Sequence, residues 1–420
     1  MTHSITCIGN TLHCSLVLDV IRSASSINPV QMMFFFRKSQ QYLEFNYKRI
    51  YDVFHWCLSV ILLRIFDDDF LVAPIPTAIF RFYQSEVALC LVIIVMHAVS
   101  YRNDLDAVIL SVSAFVSVFE MFIKLNGMAY RRKQIAQMIR TVLNDRSHLN
   151  GPMEARICEK YQRLARKLLF ITILSYLTTC IMLLSYPVLV GGIQERILPV
   201  GFSIPLVDYH KHPWYLINYL IQIVQGSWVA LVFIGLDGPF YLFVCYSASQ
   251  LEILIEYVRR IGECPDDAEE QRRLIRKVFE LHTDLSKFLA RCSSIYREVY
   301  LIQILCSIVH ICVSLFHIQI KFINGSYGML LTNVNKVWLF CYCGELVVSK
   351  AADFSTGVYT NQWYQLWNRR DLQDMLFMLQ NAQRNYGFSV GGFGFLSFAT
   401  FTAVMKTAYS CNAFLHRVMN

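Results

Sequence analysis

Charged side chains are scarce in this chain. Only 16% of its 420 residues are Asp, Glu, Lys or Arg, against about 25% in a soluble domain, which excludes an ordinary soluble fold. The nucleophile elbow G-x-S-x-G, the phosphate-binding P-loop and the zinc motif H-E-x-x-H are all missing, so no enzyme is expected. No internal repeat is visible, which weighs against a transporter built on inverted repeats. Cys7–Val20 is short and no positive charge precedes it, so it does not read as a secretory leader. Residues 1–32 differ in character from the rest, and Met32 or Met33 is an alternative start. Fourteen cysteines are present, but none falls in the three loops expected outside, so they read as small apolar packing residues. Cys341-Tyr342-Cys343 lacks metal-site spacing. Asp67-Asp68-Asp69 reads as a solvated turn, and His210-Lys211-His212 beside Asp208 as a solvated loop. No metal and no other cofactor is expected.

What the chain does have is apolar length. It is 55% hydrophobic, with a mean hydropathy of +0.41. Runs near 20 residues recur, and each can cross a hydrocarbon core of about 30 Å. They do not alternate as barrel strands would. The expected fold is an all-α membrane protein with seven spans: Ala78–Ser100, Ala107–Leu125, Leu168–Val190, Trp214–Ile234, Val299–Ile318, Met329–Val348 and Val390–Phe414. Of the 38 Lys and Arg residues, 31 fall in the N-terminal segment and the even-numbered loops, counting Arg81, Lys124, Lys167 and Lys350 there. Arg102, Arg196, Lys211, Lys321 and Lys336 are counted on the other side. Positive charge marks the cytosolic side, so the N-terminus is expected inside and the C-terminus outside. The net charge of +8 is this bias, and no nucleic-acid partner is expected. The sequon Asn324-Gly325-Ser326 falls in the fifth loop, where Asn324 is a candidate glycosylation site.

Six segments follow from this pattern. Residues 1–77 form a cytosolic N-terminal part in which Phe54–Phe66 is an interfacial or re-entrant helix. Residues 78–246 hold the first four spans. Residues 247–297 hold two amphipathic helices, Ser247–Arg260 and Glu269–Arg297, expected to leave the membrane and pack together in the cytosol. Residues 298–365 hold spans five and six. Residues 366–386 form a cytosolic helix, and residues 387–420 a last span set off by Gly387, Gly391, Gly392 and Gly394.

The last span carries Lys406 at its centre and a polar stripe of Tyr409, Asn412 and His416. A charge at mid-bilayer normally faces protein or water, so with Met405 this face reads as pore-lining. Near the outer surface, Tyr215, Tyr219 and Gln222 share a helix face, with Ile223 beside them. Tyr176, Thr179, Cys180 and Leu183 stand at similar depth, as do Val108, Ser111, Val112 and Phe115. With Trp338, these are candidates for a small-molecule pocket; a satisfied helix–helix interface with boundary tyrosines is the other reading. The prolines at 199, 205 and 213 make the preceding loop stiff. Asp237 is expected to be capped or paired by a partner not evident from the sequence. His310 and His317 are expected to hydrogen-bond between helices. No buried ion pair or catalytic cluster is legible at mid-membrane.

Phe340-Cys-Tyr-Cys-Gly-Glu345, Tyr359-Thr-Asn-Gln-Trp-Tyr364 and Phe393 to Leu415 are similar to the C-terminal third of the insect odorant receptors. The Leu198-Pro199…Pro205…Asp208…Pro213 loop, Asp237 and His282 match more loosely. That resemblance implies a seven-helix plasma-membrane receptor with an inverted orientation relative to G-protein-coupled receptors, assembled as a tetrameric cation channel with a shared coreceptor. It implies a pore built from the last helices, a packed cytosolic anchor, and a volatile odorant held in the outer half of the bundle. In the family the gate positions are aliphatic; here Asn412 and His416 are polar. This departure and a short second cytosolic loop suggest a ligand-tuning subunit. A gustatory-type channel is the alternative, although Ala408 separates Thr407 from Tyr409 and Leu415-His416 stands where Gln-Phe would fall. A G-protein-coupled receptor is opposed by the charge distribution.

Overall fold

The structure is a computed structural model that describes residues 47–67, 74–145, 151–189, 198–204, 207, 208, 211, 213–263, 268–321, 324–361, 368–384, 386–392 and 394–419. The alternative start, Asp68, Asp69, His210 and His212 lie outside the described residues.

Ten helices and one small ribbon make up the described chain. They are α1 (Lys48–Val60), α2 (Pro74–Ser100), α3 (Leu105–Tyr130), α4 (Arg132–Leu143), α5 (Pro152–Leu189), α6 (Trp214–Glu263), α7 (Ala268–Ile320), α8 (Ser326–Thr360), α9 (Arg369–Ala382), the strands β1 (Ser389–Val390) and β2 (Gly394–Phe395), and α10 (Phe398–Met419). α3 begins where the Asp104 carboxylate accepts the backbone N–H groups of Asp106 and Ala107, taking up donors a helix start leaves unpaired. α2, α3, α5, α6 and α7 are long and apolar enough to cross a membrane. α8 and α10, with 35 and 22 residues, have the length but are more polar.

α6 and α7 run for 50 and 53 residues. At 1.5 Å per residue each is roughly 75–80 Å long, far more than the bilayer needs. The helices expected at Ser247–Arg260 and Glu269–Arg297 are thus unbroken continuations of the fourth and fifth spans. α1 packs against α6 through a notch of small residues. A Cβ on Gly235 would stand 2.5 Å from Leu58 Cγ, and one on Gly238 2.6 Å from Phe54 Cβ. Phe54 and Leu58 are fully buried as a result. Nearby, the Phe240 ring packs 4.9–5.4 Å from Tyr300, Phe340, Phe388 and Tyr296, joining α6, α7, α8 and the ribbon.

The glycine break before the last helix is an antiparallel hairpin, with Ser389 opposite Phe395 and Val390 opposite Gly394. Gly391 and Gly392 take φ of 59° and 90° at its turn, where a side chain would be strained. Two-residue strands carry no readable period, so the sequence showed the break and not the ribbon. The hairpin sits on α8 at Gly344, where a Cβ would come within 2.3 Å of the Leu396 carbonyl oxygen. Gly344→Val is therefore expected to cost about 1–3 kcal/mol by overpacking. It should lower the apparent melting temperature of purified receptor, while Gly357→Ala, with nothing within 4 Å, should not.

Candidate functional site

A cavity of about 160 Å³ lies inside the bundle, between α2, α3, α5, α6, α7 and α8. Its wall is almost wholly carbon: Val87 and Cys90 of α2, Ala114, Val118 and Met121 of α3, Leu183 of α5, Val229 and Phe233 of α6, and Met329 of α8. An apolar chamber with a few polar groups is the usual form of a small-molecule site.

The segment 198–204 roofs it through Val200 and Phe202. Three hydrogen bonds tie this roof to Gln222 of α6. Gln222 Oε1 accepts Val200 N–H at 2.9 Å, and Nε2 donates to Val200 O at 3.2 Å and Phe202 O at 2.6 Å. Asn218 Oδ1 accepts Ile204 N–H at 2.8 Å. From α3, Ser111 Oγ lies 2.9 Å from Gly201 O and 3.1 Å from His97 Nδ1. Only glycine fits there, because a Cβ on Gly201 would stand 2.2 Å from Ser111 N.

The floor is charged. Lys336 Nζ donates to both Glu120 oxygens, at 2.9 and 2.8 Å. Lys124 Nζ stands 2.8 Å from Asp237 Oδ1 and 3.4 Å from Glu120 Oε1. All four residues are less than 8% exposed. The Phe233 ring lies 5.1 Å from Lys124 Nζ and 5.5 Å from Lys336 Nζ, so its face adds cation–π attraction to both. Two acids and two ammonium groups leave no net charge, which lets the cluster exist at all in a dry bundle. The cluster corrects two expectations: Lys336 is no outer-loop charge and Lys124 no cytosolic one, and a buried ion-pair network does stand inside the bundle. Asp237 is paired as expected, and its partner is Lys124. Only Glu120 and Lys124 are close in sequence. The other pairs join residues 113 and 216 apart, beyond any sequence period. Removing one lysine from each side of the topology count leaves its asymmetry intact.

Of the candidate pocket residues, Tyr176, Thr179, Cys180, Leu183 and Gln222 line the cavity. Val108, Ser111, Val112, Phe115, Tyr215, Tyr219, Ile223 and Trp338 do not. Ser111 holds the roof instead, and Tyr219 hydrogen-bonds the Leu184 carbonyl with its ring 6.0 Å from Tyr215. Phe115 stacks on Phe119, and Trp338, 38% exposed, stacks on Tyr342. The physical reason is the roof, which fills that end of the bundle and leaves the chamber deeper. Helix periodicity missed Glu120, Phe233, His310 and Lys336 because it cannot tell which neighbour a buried face meets.

The expected pore stripe divides. Val404, Ala408 and Asn412 repeat at four-residue steps and are buried against the chain's own helices, Asn412 at 3% exposure. Tyr409, 67% exposed, with Lys406 and His416, faces outward, and Met405 is half-buried. Asn412 is corrected from a pore position to a packed one. Asn324 is buried, its Nδ2 donates to His317 O and Lys321 O, and its Oδ1 accepts Ser326 N–H, an arrangement that leaves no room for a glycan on that amide. His310 and His317 do bond between helices, to Ser117 of α3 and Ser326 of α8. The described cysteines are all free thiols.

Two outcomes are expected from this geometry. Gln222→Leu removes three bonds to the roof and leaves the Phe202 carbonyl and the Val200 N–H unpaired, at about 1–3 kcal/mol each, while Val200 O keeps Phe202 N–H; faster hydrogen exchange of residues 200–204 would show it. Asn324→Gln should leave electrophoretic mobility unchanged, with and without endoglycosidase. A mobility shift would show a glycan on Asn324 and contradict the buried arrangement of that amide.

Comparison with known proteins bears on what this chamber belongs to. The family model described as 7tm odorant receptor matches residues 104–409. Odorant receptor 30a of Drosophila melanogaster is 24% identical over 249 residues, a match spanning 57% of this chain and 64% of that protein. Odorant receptor 10 of Aedes albopictus is 21% identical, spanning 56% and 63%. Odorant receptor Or2 of Anopheles gambiae is 19% identical over 84% of this chain and 92% of its own. The matches thus span somewhat under two thirds of the first two relatives. Among solved structures, the insect olfactory receptor OR5 from Machilis hrabei superposes with a TM-score of 0.71 over 88% of this chain and 99% of that one, at 9% identity. Its complex with eugenol superposes with a TM-score of 0.66 over 80% and 90%, at 10% identity. At such identity the likeness concerns the fold. The apolar spanning helices and the family match over most of the chain together identify a multi-pass membrane protein that belongs to the 7tm odorant receptor family.

Proposed function

We propose that this chain is the ligand-tuning subunit of an odorant-gated, non-selective cation channel, working in the plasma membrane with a shared coreceptor. The observation that carries this reading is the apolar chamber beneath residues 198–204. A solved relative in this fold was obtained in complex with eugenol, a small volatile, and a ligand of that class fits an apolar chamber with few polar groups. The asymmetry of lysine and arginine supports a cytosolic N-terminus and an outer C-terminus. The outward face of α10, with Lys406, Tyr409 and His416, is available to line an axis shared with neighbouring subunits.

The energetics are within reach of such a site. A thousandfold shift in the open/closed ratio needs about 4 kcal/mol of differential affinity. Roughly 160 Å² of additional apolar burial in the open state supplies that, at about 25 cal/mol per Å². The ligand acts only through this difference between states.

The test is whole-cell current on co-expression with the coreceptor, scanned with a panel of volatiles. Leu183→Ala removes about 1.5–3 kcal/mol of apolar contact from the chamber wall. It should raise the half-maximal concentration roughly tenfold or more at unchanged surface expression, and Tyr176→Ala should do likewise. Absence of current with any volatile would overturn the channel reading. Unchanged dose–response in both variants would remove the chamber as the ligand site.

A further inference from the structure

One face of α7 carries Tyr296, Tyr300, Gln303, Ser307, His310 and Ser314, at steps of four, three, four, three and four. That spacing keeps all six on a single side of the helix. All are buried, none more than 3% exposed. Each also has a side-chain polar atom without a hydrogen-bond partner: the hydroxyls of Tyr296, Tyr300, Ser307 and Ser314, Gln303 Oε1, and His310 Nδ1. They are six of the eleven such atoms among the described residues. A buried polar group that stays unpaired is costly, and a run of six on one face is too regular to be scattered packing error. Some small bonding partner has to satisfy this face.

The packing beside it leaves room for one. A void of about 10 Å³ opens on Tyr300 and Gln303, closed by Phe340 and Cys341 of α8 and by Leu396. That is near the space a single water molecule needs; its surface is mainly apolar, and the groups on it that can hold a water are Tyr300 and Gln303, each with an unpaired polar atom. The stripe also connects two places of interest. His310, near one end, lines the ligand chamber. Tyr300, near the other, shares the void with Leu396, two residues before α10.

We propose that this face of α7 binds a file of ordered water molecules running from the ligand chamber at His310 to the void at Tyr300 beside the base of α10. Water is the occupant whose size fits the void and which can both donate and accept along a mixed row of hydroxyl, amide and imidazole groups. Resting on the channel reading, the file gives ligand occupancy a route to the last helix: a ligand that displaces water at His310 alters the hydrogen bonding that ends at Leu396. The hydration itself does not depend on that reading.

Radiolytic hydroxyl labelling of the full chain in its membrane assembly tests the proposal. Irradiation converts bound water to radicals where it stands, so an ordered internal water marks the side chains it touches. Tyr241 is the internal control, because it is equally buried but its hydroxyl accepts a hydrogen bond from Thr172 at 3.0 Å. Tyr296 and Tyr300 should label several-fold faster than Tyr241. The double variant Gln303→Leu, Ser307→Ala should bring Tyr300 down to the Tyr241 rate. Equal rates for the three tyrosines in the native chain would overturn the proposal even if the variant fails to fold, and so would undiminished labelling in a folded variant. The readout needs no odorant response, so a silent receptor would count against the channel reading and not against the water file.

Discussion

Four charges shut inside an apolar bundle constrain everything around them. Glu120 and Lys124 on α3, Asp237 on α6 and Lys336 on α8 are buried, so each depends on the others to offset the loss of bulk solvent. The geometry that satisfies them fixes three helices at one level. Such a cluster contributes less to net stability than apolar packing of the same volume would. Its consequence here is positional: it ties the helices that build the chamber floor to one another. With the roof held by Gln222, Asn218 and Ser111, the chamber is closed from both ends by polar bonds while its wall stays apolar.

The long helices carry that arrangement away from the chamber. α6 and α7 each continue far past the span they make. Where they leave it, the aromatic cluster around Phe240 joins them to α8 and to the hairpin ahead of α10. A change at the floor is thus one rigid element away from the last helix. The positive φ values of Gly391 and Gly392 mark the turn that sets α10 apart.

Much of this was legible in the sequence. Each apolar run falls on a long helix, because a bilayer demands length and composition together, but several helices extend well beyond the run, and the last begins at Phe398 and not at Val390. The glycine cluster gave the break before α10, and the i, i+3, i+4, i+7 spacing of Tyr176, Thr179, Cys180 and Leu183 puts them on a shared face. What was not legible came from contact between distant segments. Lys336 looked like an exposed charge because its partner, Glu120, is 216 residues away. Asn412 looked like part of a wet stripe because the stripe was read on one helix, and burial against α7 and α8 is a property of three. Asn324 matched a sequon, but the same amide caps the turn that starts α8. The roof is the largest departure: it occupies the end of the bundle where Tyr215 and Tyr219 stand, so they pack beside the chamber and do not line it.

The coupling of the buried charges is measurable directly by a double-mutant cycle on Glu120 and Lys336, reading the apparent melting temperature of the purified receptor. Glu120→Gln and Lys336→Met alone each leave a buried charge short of a partner, and each should cost on the order of 3–5 kcal/mol. Together they leave Lys124 and Asp237 as a neutral pair, and most of that loss should be recovered. Losses that simply add, or single variants as stable as the native chain, would contradict the view that the four charges hold the chamber floor as one unit.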